Sequence, residues 1–177
     1  MSLYNRRQNE FSNFYYKKRG QNVAVMNIVP LQKDWLMIGT AEGILLFDVK
    51  GGHFMSDTLS TALHLLKPSA LVRQGDCVYI GTESGVYTYS LQDGTLKKLV
   101  ELPTKARIHG ILCQMFNRIW IATEGSGLYM YDLKAKKLKN YCYEDKTSGL
   151  SSNYVRSLAL DQENRLWVGT YSCLLYT

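Results

Sequence analysis

Three histidines, His53, His64 and His109, are the side chains of this 177-residue chain best suited to proton transfer near neutral pH. Catalysis would require such a group to converge with a carboxylate, a nucleophile or a metal on one face. None of the three recurs with a partner at a fixed spacing. His53 falls at the start of a weak, polar strand and His64 in a linker, and both read as solvated. His109 lies in an apolar strand and is the histidine singled out for function. Asp48, Asp132 and Asp161 occupy turn positions, where a short carboxylate bonds the neighbouring backbone, so no catalytic carboxylate pair is inferred from them. Cys77, Cys113, Cys142 and Cys173 are 36, 29 and 31 residues apart with no CxxC pair or Cys/His cluster. Neither a metal nor a cofactor is expected. Each cysteine sits in or beside an apolar run, where a free thiol acts as a small buried hydrophobe.

The elements that must position these groups are strands. Aromatics make up 12% of the residues, with 13 Tyr against 3 Pro, a balance that favours half-buried β-structure over helical bundles or disordered tails. The longest apolar runs, such as Ile44-Leu45-Leu46-Phe47, fall far short of the ~20 residues of a spanning helix. The opening Met-Ser-Leu-Tyr-Asn-Arg-Arg lacks the apolar core of a signal peptide. The chain as given therefore reads as soluble, with export or membrane attachment left to segments outside it. The formal charge of +6 would raise nucleic acid as a partner. Its location argues otherwise: Arg6 and Arg7, Lys97 and Lys98, and Lys134, Lys136, Lys137 and Lys139 fall in hairpin turns and outer strands, where lysine blunts edge-to-edge aggregation. No nucleic-acid partner is expected.

Self-similarity organises the whole chain. Leu36-Met37-Ile38-Gly39-Thr40, Val78-Tyr79-Ile80-Gly81-Thr82, Ile119-Trp120-Ile121-Ala122-Thr123 and Leu166-Trp167-Val168-Gly169-Thr170 align without gaps, their threonines 42, 41 and 47 residues apart. A period of about 40–50 residues is that of a four-stranded propeller blade. A polar turn precedes each core, and Glu42-Gly43, Glu83-Ser84-Gly85 and Glu124-Gly125-Ser126-Gly127 follow three of them. A third turn then leads to a weaker, charged strand. The expected fold is all-β, built of β-propeller blades of four antiparallel strands, with about four repeat equivalents. The divisions are a half blade at 1–20, blades at about 21–64, 65–106 and 107–152, and a partial blade at 153–177. Gly39, Thr40, Gly81, Thr82, Trp120, Thr123, Trp167, Gly169 and Thr170 are assigned to the repeat architecture. Glycine or alanine permits close backbone approach, threonine supplies a local hydroxyl bond, and the large side chain at the Met37, Tyr79, Trp120 and Trp167 position packs between blades.

The fourth copy is the most specific. Gly149-Leu150-Ser151-Ser152-Asn153-Tyr154-Val155-Arg156-Ser157-Leu158, followed by Asp161-Gln162-Glu163-Asn164-Arg165-Leu166-Trp167-Val168-Gly169-Thr170, resembles the two-component regulator propeller repeat. The other copies keep the GT-xx-G core without the GLSSN lead. In the fourth copy Cys173 stands where the first three have Gly43, Gly85 and Gly127, and Thr177 falls in the slot of Phe47, Tyr89 and Tyr131. The resemblance implies that these blades form part of a larger propeller of the seven-bladed type, in the periplasmic sensor region of a Bacteroidetes hybrid two-component system detecting an oligosaccharide or other small ligand. The kinase would lie in parts of the protein not present here, and the membrane would be met only through absent segments.

Two further readings stay open: a propeller enzyme of the lyase or glycan-cleaving type, and a purely structural interaction propeller, because fold does not determine function. If a ligand binds, the loops joining strand four to the next strand one, and strand two to strand three, emerge on one face. These are Asp57–His64, Pro103–Arg107 and Glu144–Asn153, and the ligand-binding candidates are Glu42, Glu83, Arg107, His109, Glu124, Tyr143, Arg156 and Tyr171. At the ends, Leu3-Tyr4-Asn5 and Glu10–Tyr16 read as strands three and four of a blade whose first two strands are missing. The final repeat reads as the complementary half. Pairing of these halves between two copies would give a homodimer.

Overall fold

The computed structural model describes residues 1–32, 34–55, 61–115, 117–143 and 149–171, and the chain forms two compact units, Met1–Pro68 and Ser69–Thr177. In the first, β1 (Ser2–Asn5) pairs antiparallel with β2 (Glu10–Asn13), and β3 (Lys17–Lys18) with β4 (Gln21–Asn22). A four-stranded antiparallel sheet follows: β5 (Val25–Gln32), β6 (Trp35–Thr40), β7 (Gly43–Asp48) and β8 (His53–Met55), in spatial order. The only helix among the described residues is the five-residue α1 (Thr61–Leu65), which lays Leu63 against β7. A core of Ile38, Leu45 and Phe47 is closed by Phe14, Tyr16 and Phe54. The rings of Phe14 and Phe54 meet Phe47 edge-on at 4.9 and 5.0 Å, the geometry that aromatic quadrupoles favour.

The second unit repeats the sheet twice and begins it a third time. Its first sheet is β9 (Ala70–Gln74), β10 (Cys77–Thr82), β11 (Gly85–Ser90) and β12 (Leu96–Glu101). The next is β13 (Ile108–Gln114), β14 (Arg118–Thr123), β15 (Leu128–Asp132) and β16 (Lys137–Tyr141), and a hairpin of β17 (Val155–Leu160) and β18 (Leu166–Thr170) follows. The central strand β14 shows why the repeat core is apolar at successive positions. Ile119 and Ile121 face Ala70, Val86 and Ile108, while Trp120 and Ala122 face Leu128, Val155 and Val168. Successive strand residues point to opposite faces, so a sheet packed on both sides needs no polar alternation.

The expected turn devices are present. Thr40, Thr82 and Thr123 are buried, and their hydroxyls donate to the carbonyls of Gly43, Gly85 and Gly127 at 2.7, 3.0 and 2.6 Å. Gly85 and Gly127 hold φ of +131° and +82°, and a Cβ there would strike the Val100 and Tyr141 carbonyls respectively. Gly81 serves the close approach: a Cβ would lie 2.9 Å from Ile108 Cγ2 on the next sheet. The turn aspartates bond locally, Asp48 to the Lys50 N–H and Asp132 to those of Lys134 and Ala135. Cys77, Cys113 and Cys142 are free, with burial pushing the Cys113 thiol up to about 11.

The large side chains of the shared repeat position differ in burial. Met37 is buried and Tyr79 and Trp120 are half-buried, but Trp167 is 61% exposed. No described strand covers that side of β18, and the indole N–H instead donates to Asp161 Oδ2 at 2.8 Å. The turn slot of Cys173 and the strand slot of Thr177 lie outside the described residues, as do parts of the loops at Asp57–His64 and Glu144–Asn153.

Candidate functional site

Irregularities in strand pairing aim the side chains that matter. In β5 the register with β6 shifts between Val25 and Asn27, in β13 with β14 between Ile108 and Gly110, and in β17 with β18 between Val155 and Ser157. The same β-bulge thus recurs in the first strand of three repeats, and the extra residue is Met26, His109 or Arg156. The β9–β10 pairing has no such shift. Bulges re-aim a side chain out of the alternating pattern and are over-represented beside functional sites.

Two of these bulge residues meet. Arg156 Nη1 lies 2.9 Å from His109 Nε2, and since a guanidinium can only donate, His109 Nε2 accepts and the ring proton sits on Nδ1. Glu124, from the turn after β14, lies 3.6 Å from both His109 Nε2 and Arg156 Nη2. Its position is set by the backbone: the Glu124 N–H donates to the Arg107 carbonyl at 2.9 Å, and Glu124 forms an isolated antiparallel bridge with Tyr154. Burial, followed by the positive charge of Arg156, holds the His109 imidazole below its usual range, and Arg107 acts in the same direction. The neutral ring fits its role as acceptor.

Two tyrosines border the polar cluster. The Arg156 Cζ lies 5.8 Å from the centroid of Tyr171, a cation–π distance, and the Tyr154 ring lies beside Gly125. Both rings are exposed. The Tyr171 N–H donates to the Tyr154 carbonyl at 2.8 Å, which locks the two together. The Gly149–Asn153 lead builds this edge. Ser151 Oγ lies 2.6 Å from Thr170 Oγ1, Ser152 Oγ donates to the Tyr171 carbonyl at 2.7 Å, and Asn153 accepts the Tyr143 N–H on its side chain and the Gly127 N–H on its carbonyl. The motif's polar residues thus fasten the last hairpin to the preceding sheet.

Of the candidates chosen from sequence, Arg107, His109, Glu124, Arg156 and Tyr171 fall together. Tyr143 is exposed and joined to the same edge through Asn153, and Glu83 is exposed on the turn after β10. Glu42 belongs to the first unit, where it pairs with Lys18 at 3.1 Å beside a cleft of about 430 Å³ lined by Lys18, Arg19, Gln21, Asn22 and Val23. That ion pair, with its hydrogen bond, draws the Glu42 carboxyl below its usual range. Tyr154 was missed; its place directly after the GLSSN lead was the available signal.

Residues 149–172 match the family model described as two component regulator propeller. The chain carries a two component regulator propeller repeat. No curated protein matches the chain. Among solved structures, this propeller segment is similar to the extracellular domain of a hybrid two component system from B. thetaiotaomicron, at 20% identity and a TM-score of 0.79, covering 96% of this chain and 23% of that one. It is similar to PorZ, a surface component of the type-IX secretion system of Porphyromonas gingivalis, at 19% identity and a TM-score of 0.69, covering 96% of this chain and 28% of that one. Virginiamycin B lyase from Staphylococcus aureus matches at 13% identity and a TM-score of 0.66, covering 94% and 55%. The chain thus spans about a quarter of the length of the first two, and the likeness establishes the propeller fold. Among the described residues no helix is long and apolar enough to cross a membrane, and no three His, Cys, Asp or Glu side chains group as a metal site.

Proposed function

We propose that this propeller segment is the ligand-sensing part of a two-component sensor, facing the extracellular or periplasmic side and responding to an oligosaccharide. The observation that carries the reading is the convergence of two bulge residues, His109 and Arg156, on Glu124 beside the exposed rings of Tyr154 and Tyr171. Sugar recognition uses apolar ring faces for the pyranose and a few fixed polar groups for its hydroxyls, and the cluster offers both. The match of residues 149–172 to the regulator repeat supports the same reading.

Binding is favoured over catalysis. Glycoside cleavage generally uses two carboxyl groups roughly 5–9.5 Å apart, and the described cluster contains one, Glu124. The test is titration calorimetry of the full chain against an oligosaccharide panel, with Tyr171→Ala as control. Saturable binding weakened by the substitution is expected. Release of shortened sugars from any panel member would make the segment an enzyme.

A further inference from the structure

The charge and donor balance of this cluster identify which oligosaccharides it would take. Arg156 lies 3.6 Å from the one carboxylate, Glu124, and Arg107 adds a second positive charge acting on His109, which is occupied as a neutral acceptor. Among the described residues the cluster therefore carries an excess positive charge. Arg156 is also underused as a donor. Of its five N–H groups, one is directed at His109, and the Glu124 oxygen at 3.6 Å is an ion-pair neighbour beyond hydrogen-bond range. Its side chain is 46% exposed, so the remaining donors are open to an incoming group. A guanidinium held on a backbone bulge, anchored at one nitrogen and bordered by an aromatic ring, suits two parallel N–H···O bonds to a planar carboxylate. A neutral sugar hydroxyl would leave that fork half satisfied.

We propose that the ligand is an acidic oligosaccharide whose uronate carboxylate is received by Arg156, with Tyr171 stacking on the attached sugar ring. This rests on the oligosaccharide-sensing reading above. Arg156 is thereby the specificity-determining residue, and His109 positions it.

The probe is a set of uronic-acid-terminated oligosaccharides, each paired with its carboxyl-reduced counterpart, titrated into the full chain at low ionic strength. One charge-assisted contact predicts roughly tenfold or greater preference for the acidic member of a binding pair. Arg156→Gln should abolish that preference while Arg156→Lys retains part of it, with circular dichroism confirming unchanged β-content in both. Equal or tighter binding of the reduced sugars overturns the carboxylate assignment and leaves the sensing reading standing. Absence of binding across both series overturns the sensing reading and the assignment with it.

Discussion

The turn after β6 and the turn after β14 occupy the same place in the repeat, yet only the second lies beside the polar cluster of His109 and Arg156. In both, a buried threonine hydroxyl closes onto a glycine carbonyl, Thr40 to Gly43 and Thr123 to Gly127, and in both a glutamate follows, Glu42 exposed and Glu124 half-buried. The neighbouring strand-one bulge presents Met26 in the first unit, whereas His109 and Arg156 occupy the corresponding bulges in the second. Glu42 is left with an exposed lysine. The repeat therefore supplies a constant backbone frame, and chemistry is written on it by the residue at one irregular position.

That separation of frame from chemistry can be broken at several points. The largest effect is expected at Gly127, where alanine must adopt positive φ and meet the Tyr141 carbonyl. Gly127→Ala should destabilise the chain by about 2–4 kcal/mol in urea unfolding. Gly125 shares the positive φ, but its nearest contact is the Tyr154 ring at 3.6 Å, so Gly125→Ala should cost only about 1 kcal/mol. Equal costs would mean that the carbonyl contact does not constrain the turn.

Threonine comes next. Thr123→Val removes the hydroxyl bond to Gly127, at a cost of about 1–2 kcal/mol, whereas Thr40→Val removes the bond to Gly43 together with the one its hydroxyl accepts from the Glu42 N–H at 3.2 Å. Thr40→Val should therefore cost as much as Thr123→Val or somewhat more; a clearly smaller cost at Thr40 would break the comparison at its base. For binding, His109→Ala removes the acceptor that orients Arg156 and should weaken an oligosaccharide roughly five- to tenfold, a loss comparable to one hydrogen bond. Met26→Ala, at the equivalent bulge, should leave affinity unchanged in the same calorimetric assay.

The smallest effect is a pH dependence. His109 titrates below its ordinary 6.5 when folded, through burial and the charges of Arg156 and Arg107 opposed by Glu124. The unfolded chain then binds the proton more readily. The stabilisation from the neutral ring is fully present above about pH 6.5 and is lost as pH falls towards the folded value. Thermal melts of His109→Gln should show a shallower loss of stability from pH 7 to pH 5 than the parent chain; superimposable profiles would remove His109 as the titrating group.

The period of the GT cores, the turn residues and the paired-face apolar strands were legible in the sequence, because each reflects local chemistry. A glycine is needed where φ is positive, a threonine where a carbonyl must be capped, and uninterrupted apolar residues where both faces are covered. That Arg107, His109, Glu124, Arg156 and Tyr171 lie near one another was also legible, since position in a repeat predicts which side chains share a face. The bulges were not. A residue added to one strand becomes visible only against the register of its partner, so nothing in Ile108-His109-Gly110 or Val155-Arg156-Ser157 announces that the two polar side chains meet. Exposure of Trp167 was equally hidden, because packing at a repeat position depends on which strands cover it. The sequence by itself determined the all-β repeat and its turns through interactions a few residues long. Tertiary structure alone decided which polar groups converge, because that depends on strand register and on contacts between sheets that local sequence does not encode.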